Sequence, residues 1–417
     1  MESSEVSRRD MLKVIGGAAA GALGAGALAG MSGCSKTEVI GVEYISGESE
    51  SLWLYNPSGV RQDGQYVDKQ LKATMDAAGI DKPPFAARSN TRVESAVVSA
   101  ATAYDDITDL FYKRGWTDGL PIVPPHERKV SLMCKGTDLP RESLIAIMPP
   151  LMGQATVEKV ATNAVMAGCR PEYLPVLIAA VEGVCDDAYD LVGVGTTTSP
   201  NASMIVVNGP IAKALNINSG ANCLGRGHKA NATIGRALHL CEQNIGGAWP
   251  RVSDFSSLGM PGDYSWMMAE NEDESPWEPY HVEQGFSADQ NIVTVLSGSG
   301  MHLIVDIGLS NTEYLDKVAA YMAQNNHHER QTLVVQPPYT AQDLANDGWD
   351  KPKMREYITK KFTEITGEAV EGVLPLMFIV AGGVGEKNYV IPMWRKAISR
   401  EVRLPKGWDV HLTPEDE

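Results

Sequence analysis

The sequence has no basic excess: 36 Lys and Arg stand against 52 Asp and Glu, a net charge of -16. Binding a phosphate backbone requires a basic face, so nucleic acid is not an expected partner. An acidic surface does suit solubility outside the cell. Apart from Cys34 the cysteines number five: Cys134, Cys169, Cys185, Cys223 and Cys241. The count is odd and no pair has Cys-x-x-Cys spacing, which argues against a disulfide scaffold and a zinc knuckle. No run supplies the roughly 20 strongly apolar residues of a good membrane span. Residues 14–30 come nearest, and they are mostly Gly and Ala. There is no Walker loop, dinucleotide fingerprint or familiar catalytic triad. The two similar halves usual in two-lobed binding proteins are missing as well.

What is present begins at the N-terminus. Ser7-Arg8-Arg9-Asp10-Met11-Leu12-Lys13 precedes an uncharged Ala/Gly/Leu stretch that ends in Met31-Ser32-Gly33-Cys34. Paired arginines before a modest apolar run form a twin-arginine export signal, with Met11 where Phe is preferred. Small residues just ahead of a cysteine form a lipoprotein processing site, with Cys34 lipidated. The expectation is a folded protein exported by the twin-arginine pathway and held in the cell envelope by its lipid. It would sit on the outer side of the cytoplasmic membrane, or in the periplasm or outer membrane. Such a route fits a chain that acquires a cofactor or partner first, and the residues leave any cofactor unknown.

Residues 1–33 read as the signal, 34–92 as a linker with a small N-terminal subdomain, and 93–417 as the main body. The body alternates short β-branched runs (203–208, 291–296, 301–306, 332–335, 376–381) with helical stretches. Those are Val157–Ala167 and residues 171–184, 232–243, 312–324, 341–346 and 353–365. This alternation predicts an α/β fold, a mixed or largely parallel sheet layered with helices.

The richest local segment is 218–231, NSGANCLGRGHKAN. Gly220, Gly225 and Gly227 let backbone N–H groups turn inward, and Asn231 reads as the N-cap of the following helix. That helix end, with Arg226, His228 and Lys229 beside it, has the makings of a phosphate or carboxylate site. A tight connecting loop with an ordinary cap is the alternative. Asn163, Asn208 and Arg236 are expected to line the same pocket. Cys169 lies beside Arg170 and ahead of Pro171, where a helix N-terminus and a cation would lower a thiol pKa. Glu172 opposes this, and a buried core thiol is the alternative. Cys223 with His228 offers a nucleophile and base. Glu270, Glu272 and His281 are weak candidates for metal ligands, against a solvated acidic loop.

Four segments, 115–125 (GWTDGLPIVPP), 163–175 (NAVMAGCRPEYLP), 231–236 (NATIGR) and 345–349 (ANDGW), carry a family resemblance. The chain resembles a bacterial group fused to, or found beside, the UGSC (seleno)protein domain. The resemblance runs from Val93 to the C-terminus. It implies thiol or selenol chemistry on a partner chain, a selenoprotein or reductase. This sequence has no Cys-Gly-Ser-Cys motif, so that motif itself does not transfer. The combined expectation is an extracytoplasmic enzyme or enzyme subunit acting on a small anionic substrate. Its chemistry would be thiol-linked redox or lyase chemistry, with Cys169, Cys223 and His228 as reacting groups. The alternative is a solute-binding lipoprotein that delivers the anion to a transporter.

Overall fold

The computed structural model describes residues 51–55, 92–96, 108–109, 111–324 and 331–408. The export signal, Cys34 and most of segment 34–92 lie outside the described residues. Two short strands, β1 (Ser51–Tyr55) and β2 (Arg92–Ala96), pair antiparallel. The main body then runs α1 (Glu127–Met133), β3 (Leu144–Met148), β4 (Gly153–Thr156), α2 (Val157–Ala167), α3 (Leu174–Val184), α4 (Leu191–Thr196), β5 (Ala202–Asn208), α5 (Pro210–Ala214) and α6 (Lys229–Cys241). It continues with β6 (Met267–Ala269), α7 (Tyr280–Glu283), β7 (Ile292–Gly298), β8 (His302–Val305), α8 (Asn311–Gln324), β9 (Thr332–Gln336), α9 (Pro338–Asn346) and α10 (Lys351–Thr366). Strands β10 (Leu376–Val380), β11 (Lys387–Pro392) and β12 (Ile398–Glu401) complete it.

The fold is α/β with mixed sheets. One four-stranded sheet has the order β12-β7-β5-β6 and the other β10-β9-β11-β8. Only β5–β6 and β9–β10 are parallel; the remaining neighbours within these two sheets are antiparallel. Side-chain alternation along the strands shows how the sheets stack. In β5, Ile205 and Val207 enter a core shared with α2, α3 and α6, while Met204 and Val206 point the other way. There they meet Leu333 and Val335 of β9 and Met377 and Ile379 of β10. The opposite faces of β9 and β10, carrying Val334, Leu376 and Phe378, pack on α8 and α10. The body is therefore a helix–sheet–sheet–helix sandwich. Every residue of β5 and β7 is buried because each strand has a layer on both sides, which is why both are mostly apolar on both faces, with Ser203 and Asn208 in β5 and Thr294 and Ser297 in β7 as buried polar exceptions.

Local signals set the helix ends. The Thr156 hydroxyl accepts from the Lys159 N–H at the start of α2, and Gly168, with φ 89°, stops it. Asp350 caps α10 and Gly367 closes it in the same manner. Close packing decides Gly183: a Cβ there would lie 2.7 Å from a methyl of Val295 in the sheet below. Among the described residues no helix is long and apolar enough to cross a membrane.

Candidate functional site

Helix α6 and the loop before it hold most of the residues singled out for anion binding. The helix starts earlier than the sequence indicates. His228 is at the cap position and its side chain makes no cap bond, so Lys229 and Ala230 are the first two helical residues. Asn231 is not the cap. Its side-chain oxygen accepts from the Asn218 N–H (2.8 Å), and its amide nitrogen donates to the carbonyls of Asn218, Cys223 and Met267. One buried amide thus closes the glycine loop and ties it to β6, because three backbone carbonyls compete for its donors. Gly225, Arg226 and Gly227 stand exposed on the outer turn of that loop, which Asn222 holds by donating to the Arg226 carbonyl (2.8 Å).

A cavity lies at the helix start. Arg170, Glu172, Asn216 and Lys229 bring polar groups to a cleft of about 230 Å³, with Leu215 and Ala230 as apolar wall. Of the residues singled out in the sequence, Lys229 lines it, and Arg226, His228, Asn163 and Arg236 do not. The first N–H groups of an α-helix have no intrahelical acceptor, and the end carries about half a positive charge. Lys229 adds a full one. Its field reaches Lys129, whose pKa is held below the ordinary value by burial, then by Arg128 and Lys229. Arg170 is 3.8 Å from Glu172, whose carboxylate is almost wholly enclosed. The cleft therefore gathers two cations, a helix N-terminus and one buried carboxylate.

Cys169 adjoins Arg170 and is half-buried. The expected depression of its pKa is corrected by the structure. Burial pushes the thiol up to about 12, and the Thr233 hydrogen bond with the charges of Lys229 and Arg236 offsets only part of this. Desolvation of the thiolate outweighs that hydrogen bond and those two cations, and Glu172 adds to the rise. The Cys223 thiol is likewise raised, to about 11, by burial, and its hydrogen bonds are to backbone N–H groups of its own loop.

Asn163 and Arg236 serve a different purpose. Arg236 binds Asp118 through two hydrogen bonds and also donates to the Pro121 carbonyl (2.9 Å). After α6 comes a π-helical turn, Glu242–Gly246. From it Gln243 donates to the Thr117 carbonyl (2.9 Å), and Asn244 to the Trp116 carbonyl (3.0 Å) and to the Asn163 side chain (2.8 Å). Three of the four resemblance-bearing segments thus interlock along α6.

The acidic candidates sit at the carboxyl ends of β5 and β6. Asn208 donates to Glu270 (2.6 Å) and Glu272 (2.9 Å), and the Tyr280 N–H also donates to Glu270 (2.8 Å). Burial raises Glu270 to about 7. His281 is fully buried, its Nδ1 3.8 Å from Glu272. Among the described residues no group of three or more His, Cys, Asp or Glu side chains is placed to hold a metal ion. Here the two carboxylates converge on an amide. Sequence reasoning missed another polar set, in which Tyr189, Ser203, Glu242 and His239 form one buried chain of contacts. A serine within the apolar run of β5 was its only signal. Burial alone would lower His239, and the hydrogen bond and charge of Glu242 raise it.

No protein-family model matches the chain, and comparison with curated proteins likewise finds no match.

Proposed function

We propose that this chain is an extracytoplasmic, lipid-anchored protein that takes a small anionic substrate into the cleft between Arg170 and Lys229. The observation that carries the reading is that cavity at the uncapped N-terminus of α6, with two cations on its wall in a protein of net charge -16. Backbone donors and a helix end favour a carboxylate or phosphate there. As an enzyme or enzyme subunit it would have Cys169 at the edge of the site. Redox or lyase chemistry there would first have to deprotonate a thiol that burial keeps protonated, and the resemblance to UGSC-associated proteins supports a redox partner on a second chain. The second reading, capture of the anion for a transporter, needs no reactive group and is favoured by the burial that keeps Cys169 protonated.

Isothermal titration of the purified chain with a panel of small anions tests the site. Lys229→Ala and Arg170→Ala should each weaken binding about tenfold, the effect of losing one charge-assisted contact. Affinities unchanged in both variants would remove the cleft as the binding site.

A further inference from the structure

Strand β8 ends its sheet, and among the described residues no strand pairs with its outer side. We propose that two copies of the chain meet at this edge, β8 against β8 about a twofold axis, so that their four-stranded sheets join into one. The other edges of the two large sheets are covered or blunted. Every residue of β6 and β10 is buried, and β12 carries Glu401 and Arg400, the latter paired with Asp186. Strand β8 has neither protection. Leu303 and Val305 are 45% and 39% exposed, Met301 and Ile307 beside the strand are exposed too, and residues 301–305 include no Lys, Arg, Asp or Glu. An apolar edge of this kind is a template for pairing with another strand.

The backbone is set for that pairing. The Asp306 N–H donates to the Glu386 carbonyl (3.3 Å), and Val305 stands opposite Lys387 of β11. Antiparallel strands alternate hydrogen-bonded and non-bonded pairs, so residues 302, 304 and 306 direct their main-chain groups to β11. The N–H and C=O of Leu303 and Val305 then point outward.

One register uses both residues. With the axis through Ile304, Leu303 of each copy lies opposite Val305 of the other, and each such pair exchanges both of its backbone hydrogen bonds. Their apolar side chains meet across the axis on one face. The same register sets His302 of each copy opposite Asp306 of the other. His302 is held at the edge by stacking on Tyr321, with ring centroids 4.1 Å apart. Asp306 accepts from the Thr340 hydroxyl (2.9 Å) through one carboxylate oxygen, and its other oxygen has no partner. An imidazole facing a carboxylate gives local attraction between two chains that each carry a net charge of -16. An axis through Leu303 or Val305 loses that match.

The test is sedimentation equilibrium of the full chain and of edge variants. The unaltered chain should be dimeric at about 100 μM, where a micromolar complex is almost fully formed. Leu303→Lys, at a half-exposed position, should raise the dissociation constant about tenfold or more, because a lysine on an edge strand opposes pairing. A second measurement reads the register. The two Val305 positions become diagonal neighbours about 7–8 Å apart, so a short bismaleimide should join two Val305→Cys chains into a covalent dimer. A monomer at the highest concentration would overturn the proposal, and so would a dimer that Leu303→Lys leaves equally strong. If Leu303→Lys folds poorly, the crosslink decides: no more covalent dimer from Val305→Cys than from the unaltered chain would overturn it as well.

Discussion

Arg236 grips Asp118 with two parallel hydrogen bonds, Nε to Oδ2 at 2.7 Å and Nη2 to Oδ1 at 2.8 Å, and both side chains are largely buried. Removing one partner leaves the other charged and short of water. Arg236→Ala should cost about 3 kcal/mol of unfolding free energy, the scale for breaking a buried pair. Arg236→Lys should recover little, since an ammonium cannot supply the planar fork. Urea unfolding of both variants checks this, and a loss below about 0.5 kcal/mol for the alanine variant would contradict it.

Glu270 should make the protein less stable as pH rises. Burial lifts its folded pKa from 4.5 to about 7. Below pH 4.5 the group is protonated whether folded or not, and it imposes no penalty. Between 4.5 and 7 the unfolded chain loses its proton first, so folding stability falls, and above 7 the full penalty remains. The drop is at most about 3 kcal/mol by proton linkage. Glu270→Gln should flatten this limb of the stability–pH curve. An identical curve for the variant would mean that Glu270 ionises normally in the fold.

Cys169 and Cys223 should be slow to alkylate. Thiols pushed up to about 12 and about 11 carry almost no thiolate at pH 8, and the thiolate is the reacting species. Iodoacetamide followed by mass mapping should leave both unmodified under conditions that label a free cysteine peptide, and label both in denaturant. Rapid labelling of Cys169 in the folded protein would return it to the list of activated thiols.

Gly183 should tolerate no side chain while Val295 faces it. A Cβ at Gly183 would sit 2.7 Å from one Val295 methyl, on a residue buried on both faces of its sheet. Gly183→Ala should therefore destabilise by about 1–3 kcal/mol despite the better helix propensity of alanine. Adding Val295→Ala should restore part of that loss. Strictly additive effects in the double variant would show that the two positions do not compete for the same space.

The sequence foretells some of this structure and misses the rest for physical reasons. Thr156 and Gly168 mark the ends of α2 because capping is a matter of a few adjacent residues. The run 203–208 reads as a buried strand, and β5 is one. Its neighbours were not legible, since the stacking of β5 on β9 and β10 depends on contacts over 120 residues away. Asn231 reads as a cap because a short polar residue before a helix usually is one; the carbonyls of Cys223 and Met267 claim it instead. The sequence reading groups Lys229 with Arg226 and His228, whereas the cleft proposed above groups it with Arg170 and Glu172. Arg226 and His228 are neighbours of Lys229 in sequence, whereas Arg170 and Glu172 become its neighbours only through the packing of the two segments. No local pattern reports the desolvation of Cys169 that outweighs the Thr233 hydrogen bond and the charges of Lys229 and Arg236.

Helix α6 ends in one set of bonds and begins in another. Its last turns and the π-turn after it hold the carbonyls of Trp116, Thr117 and Pro121, and its first residue is Lys229. A displacement of residues 116–121 would therefore be felt by a helix whose first residue stands on the wall of the cleft.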